Sequence, residues 1–481
     1  MKIQNTALFF LCALLMLGVS CNKTDKNPQT APYILASPSS YSMVTGEKKQ
    51  LDIETFPHVA VSALQISSDN TAVAQVNGTG LITAVGVGEA TINITAPSAA
   101  LSASCKVSVL EVTDLSNTGK GPANCYIITK PGAYKFKAVK GNTNYSVGET
   151  VDTAVVLWKS FNTFSIPGEK DIIDHVFSNG NEIVVVTQTN KFENGNALVA
   201  AEDSEGTILW SWHLWFVEDY KVFDSAVACK NSVGSVMDRN LGATEAALSN
   251  YYGTYGPFET YGLIYQWGRK DPFLGSKGAV SGELSTGVKT YYQVASTMRT
   301  NWPDAQPSTA ACGTIAWATE HPTTWLCAGG GSANESNWLH IANMSLWSSA
   351  KTQYDPCPPG WKVPTGGLGG FFATAAGGKT VDIDSGWCEG GYNVASYLAQ
   401  SSLKLYFPYN GKKYGGSAMY LYQVGKEKGS GSWWTVSDDG NGVIYTVVLQ
   451  SVDNEGHASK LDLRGYENNL ATGMAVRCVT E

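Results

Sequence analysis

Two stretches near the end of the chain restrict what it can fold into more than any others. One is residues 355–365, DPCPPGWKVPT, and the other is AVRCVTE, ending at Glu481. Pro356, Pro358, Pro359 and Pro364 fix φ and remove backbone donors, so neither a helix nor a central strand can run through the first stretch. Trp361 offers a large apolar body to anchor that stretch on a core. Residues 474–479 alternate with the short period of a terminal strand. Cys357 and Cys478 bracket everything between. We expect their sulfurs to join and close the last quarter of the chain end to end as one domain. In the chain-entropy model a bridge over so long a loop stabilises by on the order of 4–5 kcal/mol. Two free buried thiols are the alternative, and an oxidising compartment favours the bridge.

The start of the chain points to such a compartment. Lys2 precedes an apolar run at residues 7–17, ALFFLCALLML, too short to span a membrane and the right length for the core of a signal sequence. Gly18, Val19 and Ser20 before Cys21 resemble a lipobox, although Gly18 stands where Leu is usual. This reading gives a signal peptide over residues 1–20 and lipid on Cys21, with residues 21–32 as a polar tether. An ordinary signal peptide cleaved near Ser20 is the plainer alternative. The expected location is the outer membrane, lipid-anchored and facing the cell exterior.

A chain of 481 residues has room for about three domains. Its 50 glycines and 18 prolines, with only 15% charged residues, favour turns and strands. The net charge of −8 and the lack of a basic cluster exclude nucleic acid as a partner. Cys12 leaves with the signal and Cys21 takes lipid, so the remaining cysteines are even in number; Cys312 with Cys327 is a second, weaker pair.

Residues 33–112 contain short β runs separated by Gly, Pro, Asn and Ser, with clear alternation at 90–95 and 105–109. That pattern is a small β-sandwich, with Cys105 in its core as a small hydrophobe. Residues 67–95, SSDNTAVAQVNGTGLITAVGVGEATINIT, also resemble the bacterial Ig-like group 2 family at Val73-Ala74, Val76, Gly80, Ala84, Gly86 and Gly88. Ile66 stands where that family usually has Trp. The resemblance implies a spacer module on a surface protein.

After a linker at residues 113–122, a β-rich, sandwich-like region is expected over 123–225. Residues 196–201 and 207–216 flank AEDSEG and read as a hairpin. Its second arm, ILWSWHLWF, places Ile208, Trp210, Trp212 and Leu214 on one face and Leu209, Ser211, His213 and Trp215 on the other. Both faces should be buried; the functional alternative has His213 or Trp215 lining a groove and stacking on a sugar. Asp238 and Arg239 read as an internal ion pair.

NCYIIT, GNALVAAEDSEGTILWSWHLW, MDRNLGA, YQWGRKDPF, DPCPPGWKVPT and AVRCV, in that order, resemble the FISUMP (Fibrobacter succinogenes major paralogous) domain of Bacteroidetes surface lipoproteins and the sandwich region before it. The family is similar to the C-type lectin-like fold. The resemblance therefore implies a mixed α+β terminal domain over residues 226–481, and the whole chain is expected to be a mainly β, multidomain protein. At residues 366–372, GGLGGFF replaces the usual start of a helix, and each glycine weakens a helix by ~1 kcal/mol.

The strongest ligand candidates are Trp433 and Trp434, which precede a Ser-Asp-Asp-Gly-Asn-Gly turn. Asp438, Asp439 and Asn441 there are a weak calcium candidate, since one turn supplies too few oxygens for a calcium shell. Ordinary turn chemistry explains the same residues. The loose Walker pattern from Ala373 to Lys379 and Thr380 lacks a preceding strand and an intracellular nucleotide pool. No His-Glu-x-x-His or Gly-x-Ser-x-Gly occurs, so no catalytic residue or cofactor is assigned. Asp152-Thr153-Ala154 and Asp224-Ser225-Ala226 resemble a three-residue O-glycosylation signal. The expected function is non-enzymatic: adhesion or recognition through the C-terminal domain, with a glycan or a surface protein as partner. A structural or tip subunit of a surface fibre is one alternative. A polysaccharide-acting enzyme is the other, and it would need paired carboxylates across a cleft.

Overall fold

The computed structural model describes residues 31–481 except 149, 163–170, 190, 248–257, 276–279, 284–287, 294–304, 328–336, 379–380, 383–386, 389–390, 401–404, 414–429, 439 and 452–457. The chain is mostly β and divides into two compact units, the first made of residues up to Tyr41 and Gly46–Ser108, the second of Ser42–Thr45 and Val109–Glu481.

The first unit is an Ig-like sandwich. Gly88–Ala96 turns Ala90, Ile92, Ile94 and Ala96 inward, and Cys105 and Val107 of Leu101–Leu110 meet the same core. The period-2 pattern legible in the sequence is thus the pleat itself. Asn77 fixes one turn, its Oδ1 accepting from the backbone N–H of Thr79 (3.0 Å) and of Leu81 (2.9 Å).

The second unit begins with a six-stranded sheet ordered Cys125–Ile128, Ile208–Phe216, Gly195–Glu202, Thr153–Asn162, Lys289–Gln293 and Val280–Glu283. A four-stranded sheet of Val112–Asp114, Ala133–Lys137, Glu182–Thr187 and Ile173–Asn179 shares an apolar core with one of its faces. Ile208–Phe216 is covered on both faces: Trp210, Trp212, Leu214 and Phe216 enter that core, while Trp215 enters a second one with Leu198, Trp361 and Trp434. A seven-stranded sheet follows, ordered Phe273–Leu274, Leu263–Gln266, Gly473–Ala475, Gly431–Asp438, Ile444–Ser451, Ala458–Glu467 and Val381–Asp382.

Cys357 and Cys478 are joined, with Sγ–Sγ 2.06 Å and Cα–Cα 6.1 Å. The bridged stretch is not a self-contained domain, which corrects the expectation of one domain closed end to end. Val479–Thr480 lies between Trp361–Lys362 and Ser235–Val236, and the core around the disulfide also takes Cys125, Leu198, Met237 and Tyr265. The reason is that the residues at both ends of the bridged stretch pair and pack with residues far upstream, so its core is completed from outside the loop.

Polar groups hold the proline-rich stretch in place. The buried Asp355 carboxylate accepts from the N–H of Cys357 (2.8 Å) and of Val363 (2.9 Å). Lys351 Nζ donates to the carbonyls of Cys357 (3.1 Å), Pro358 (2.7 Å) and Trp361. Burial pushes the Asp355 pKa up and the Lys351 pKa down, each opposed by the other's charge. Asn124 completes the tie by donating to the carbonyls of Gln353 (2.8 Å) and Asp355 (2.9 Å). Gly366 and Gly370 serve close packing. A Cβ on Gly366 would lie 2.1 Å from Thr435 Oγ1, and one on Gly370 would lie 2.5 Å from the Gly366 backbone. The helix Phe371–Ala375 starts only after them and runs for five residues.

Cys312 and Cys327 are both free, which corrects the weaker pairing. Cys327 is held in the short strand Trp325–Cys327, while Cys312 lies in a turn where its thiol is 3.1 Å from the Pro307 carbonyl. Replacing both Cys357 and Cys478 with Ala is expected to lower the unfolding free energy by about 3–5 kcal/mol, because the unfolded chain regains a loop of 121 residues. Chemical denaturation of the oxidised parent against the double variant checks this, and replacing Cys312 and Cys327 should not reproduce the loss.

Candidate functional site

Trp433 and Trp434 do not form a ligand platform, which corrects the sequence expectation. Both are fully buried in Gly431–Asp438, a strand flanked on either side by Gly473–Ala475 and Ile444–Ser451. Neighbouring residues on a strand face opposite ways, so Trp433 joins Phe407 and Leu449 in one core and Trp434 joins Met474 and Val436 in another. Trp433 Nε1 donates to Asn240 Oδ1 (2.9 Å) and Trp434 Nε1 to the Tyr265 carbonyl (2.7 Å). Their polar atoms are therefore committed inside the fold. Asp438 ends the strand, Asn441 is exposed in the turn, and Asp439 lies outside the described residues. Among the described residues, no group of three or more His, Cys, Asp or Glu is arranged to hold a metal ion. Cys21, Lys379 and Thr380 also lie outside the described residues.

His213 and Trp215 are buried, which removes the alternative that they stack on a sugar. Trp215 Nε1 donates to the Ala243 carbonyl at 3.1 Å, and His213 Nε2 lies 2.8 Å from Asn196 Oδ1. Burial pushes the His213 pKa down to about 3 and leaves the ring neutral. Thr153 and Ser225, the hydroxyls of the two glycosylation-like triplets, are both half-buried, one opening the strand Thr153–Asn162 and the other in a loop.

Several residues of the ordered motifs are internal ties. Arg239 pairs with Asp238 (3.0 Å) and lies over the Tyr220 ring, whose hydroxyl also donates to Asp238 (2.7 Å). Lys270 Nζ reaches Asp271 (2.6 Å) and Ser211 Oγ (2.6 Å), below the face of Trp210. Arg269 donates to the carbonyls of Thr324 (2.8 Å), His321 (3.0 Å) and Pro322 (3.3 Å).

The Lys270 and Arg269 ties adjoin an open groove of about 500 Å³, which the sequence reading did not find. One wall is the start of the strand Ile208–Phe216. The Asp203 carboxylate sets the turn before it by accepting from the N–H of Thr207 (2.9 Å) and of Glu205 (2.9 Å). The Thr207 bond leads the effects that lower the Asp203 pKa, which favours the carboxylate. The facing wall is the helix Ile315–Glu320, capped by Thr314 Oγ1 accepting from the Trp317 N–H (3.1 Å) and held at its far end by Arg269. Gln353 and Tyr354 also line the groove, with the Tyr354 and Trp210 rings 6.0 Å apart. Trp210 is fixed from behind by Asn124 Oδ1 (2.9 Å).

The lining is amphipathic. Ile208, Leu209, Ile315 and Tyr354 give apolar surface; Thr207, Thr319 and Gln353 give neutral hydrogen-bonding groups; Lys140, Asp203 and Glu320 add charge. Among the described residues, the polar lining of the groove consists of carboxylates, a lysine, threonines and an amide. Sequence reasoning missed it because its walls come from stretches more than a hundred residues apart. The one local signal is the two-faced strand 208–216, whose first turn had to face something.

Residues 33–107 match the family described as bacterial Ig-like domain (group 2). No curated protein matches the chain. Among solved structures, domains 5-6 of the S-layer protein SbsC are 15% identical, with 39% of this chain and 100% of that chain covered and a TM-score of 0.16. The endo-fucoidan hydrolase MfFcnA4 from glycoside hydrolase family 107 is 13% identical, with 41% and 30% covered and a TM-score of 0.15. Titin Ig tandem domains A164-A165 are 11% identical, with 39% and 98% covered and a TM-score of 0.13. At such scores none of the three describes the whole fold of this chain.

His213 makes acid sensitivity testable. Its folded pKa lies below that of an unfolded histidine, so the unfolded state binds the extra proton as pH falls. Its contribution is complete above about pH 6.5 and is lost at roughly 1.4 kcal/mol per pH unit below it. His213→Gln should flatten that acid limb in denaturation curves taken between neutral and mildly acidic pH.

Proposed function

We propose that the protein is an exported surface lipoprotein in which the Ig-like module spaces a recognition unit away from the membrane. Its task is adhesion or capture, with a glycan or a surface protein as ligand. The observation that carries this reading is the Ig-like module at residues 33–107, placed directly after an apolar leader and the lipobox-like Cys21. The resemblance of the second unit to FISUMP domains supports the same assignment, and so does the groove, a preformed concave surface on rigid elements. The proposed role is non-enzymatic and needs no cofactor.

Three measurements test this reading. The Ig-like module of intact cells should be open to added protease and to antibody. Cys21→Ser should abolish incorporation of labelled fatty acid and move the protein from the membrane to the soluble fraction. A protein shielded on intact cells would defeat the surface assignment, and a membrane-bound Cys21→Ser variant would defeat the lipid anchor. Release of reducing sugar from a polysaccharide would defeat the non-enzymatic assignment.

A further inference from the structure

Resting on the recognition role above, we infer that the groove between the strand Ile208–Phe216 and the helix Ile315–Glu320 is a site for a short neutral oligosaccharide. Its volume of about 500 Å³ suits a small ligand and is too little for a folded partner. A sugar ring has an apolar C–H face and a rim of hydroxyls, and the lining offers both complements. Tyr354, half-buried and 6.0 Å from Trp210, presents an aromatic surface whose support is fixed by the Asn124 tie. Around it stand Gln353, Thr207 and Thr319 as neutral partners for hydroxyls, with Asp203 and Glu320 as acceptors.

Charge decides among sugars. Two carboxylates and one lysine line the groove, and the whole chain carries −8. A sulfated or uronic glycan would therefore meet repulsion, and the neutral sugar would not. A peptide strand or helix would ask for a continuous apolar stripe, whereas here charged and polar side chains share the lining with apolar ones. The walls are held from within the fold by the Asp203 turn, the Thr314 cap and the Arg269 bonds to the carbonyls after the helix.

The test uses the purified full-length lipoprotein in detergent micelles on an array of neutral and anionic oligosaccharides, with hits measured by calorimetry. Ala316 is exposed on the groove side of the helix, so Ala316→Trp should fill the opening while leaving the fold intact. The expected result is binding of a neutral oligosaccharide that Ala316→Trp weakens at least tenfold with an unchanged thermal midpoint. Glu320→Gln should weaken the same ligand several-fold. Tyr354→Ala is the harsher variant, and its folding must be checked by circular dichroism. Binding of anionic glycans alone, of a peptide blocked by Ala316→Trp, or of a sugar that ignores Ala316→Trp would overturn the inference. If the protein is surface-exposed and captures a protein ligand through another face, the recognition role stands and the groove assignment falls. If it is neither exposed nor a binder, both fall.

Discussion

The second unit depends on a charge that has been taken out of water. Arg477 is almost fully buried, and its guanidinium donates to Asn240 Oδ1 (2.7 Å) and to the carbonyls of Met237 (3.2 Å) and Tyr406 (2.8 Å). Burial lowers its pKa to about 9, so it remains a cation at neutral pH and must keep every one of those partners. Asn240 carries the tie further by accepting from Trp433 Nε1 and donating to the Tyr261 carbonyl (3.0 Å). One amide thus fixes the last strands, the seven-stranded sheet and the MDRNLGA stretch in a single arrangement. Leaving any member unmatched would strand a polar group in an apolar core, which costs on the order of 1–3 kcal/mol for a neutral group and more for a charge.

The same logic explains why several conspicuous motifs are internal. Asn124 links the first strand of the six-stranded sheet to the proline-rich stretch and to Trp210. Arg269 and Lys270 sit under aromatic rings and bond to backbone carbonyls or to Ser211 and Asp271. These residues bear charge and look like chemistry in a linear text. In the fold they satisfy carbonyls that irregular segments leave without a ladder partner.

What the sequence made legible follows from this division. Alternation at residues 90–95 and 105–109 reports a pleat with one wet face, and ILWSWHLWF reports a strand with none. The pairing of Cys357 with Cys478 could be read because the two cysteines sit in a proline-rigid stretch and a short terminal strand that bracket the last quarter of the chain. The Trp433-Trp434 misreading had a definite cause: the turn after them is polar, and only the order of strands shows that both faces of theirs are covered. The groove was illegible for a different reason. Lys140, Asp203, Glu320 and Tyr354 share no period, and they meet only after two sheets and a short helix are assembled.

The place of Val479–Thr480 has a consequence for biogenesis. This strand is interior to its sheet, between partners that precede it by more than a hundred and more than two hundred residues. A ribosome delivers the chain amino end first, so Arg477, Cys478 and Val479 emerge after the partners they bond, pair or bridge with at Met237, Asn240, Cys357 and Tyr406. The Ig-like module can finish early, but the larger unit stays unlocked until these residues arrive. In a chain delivered this way, the sheet around Val479 and the bridge to Cys357 can close only after these residues arrive, so the earlier strands wait for a partner that local sequence cannot supply.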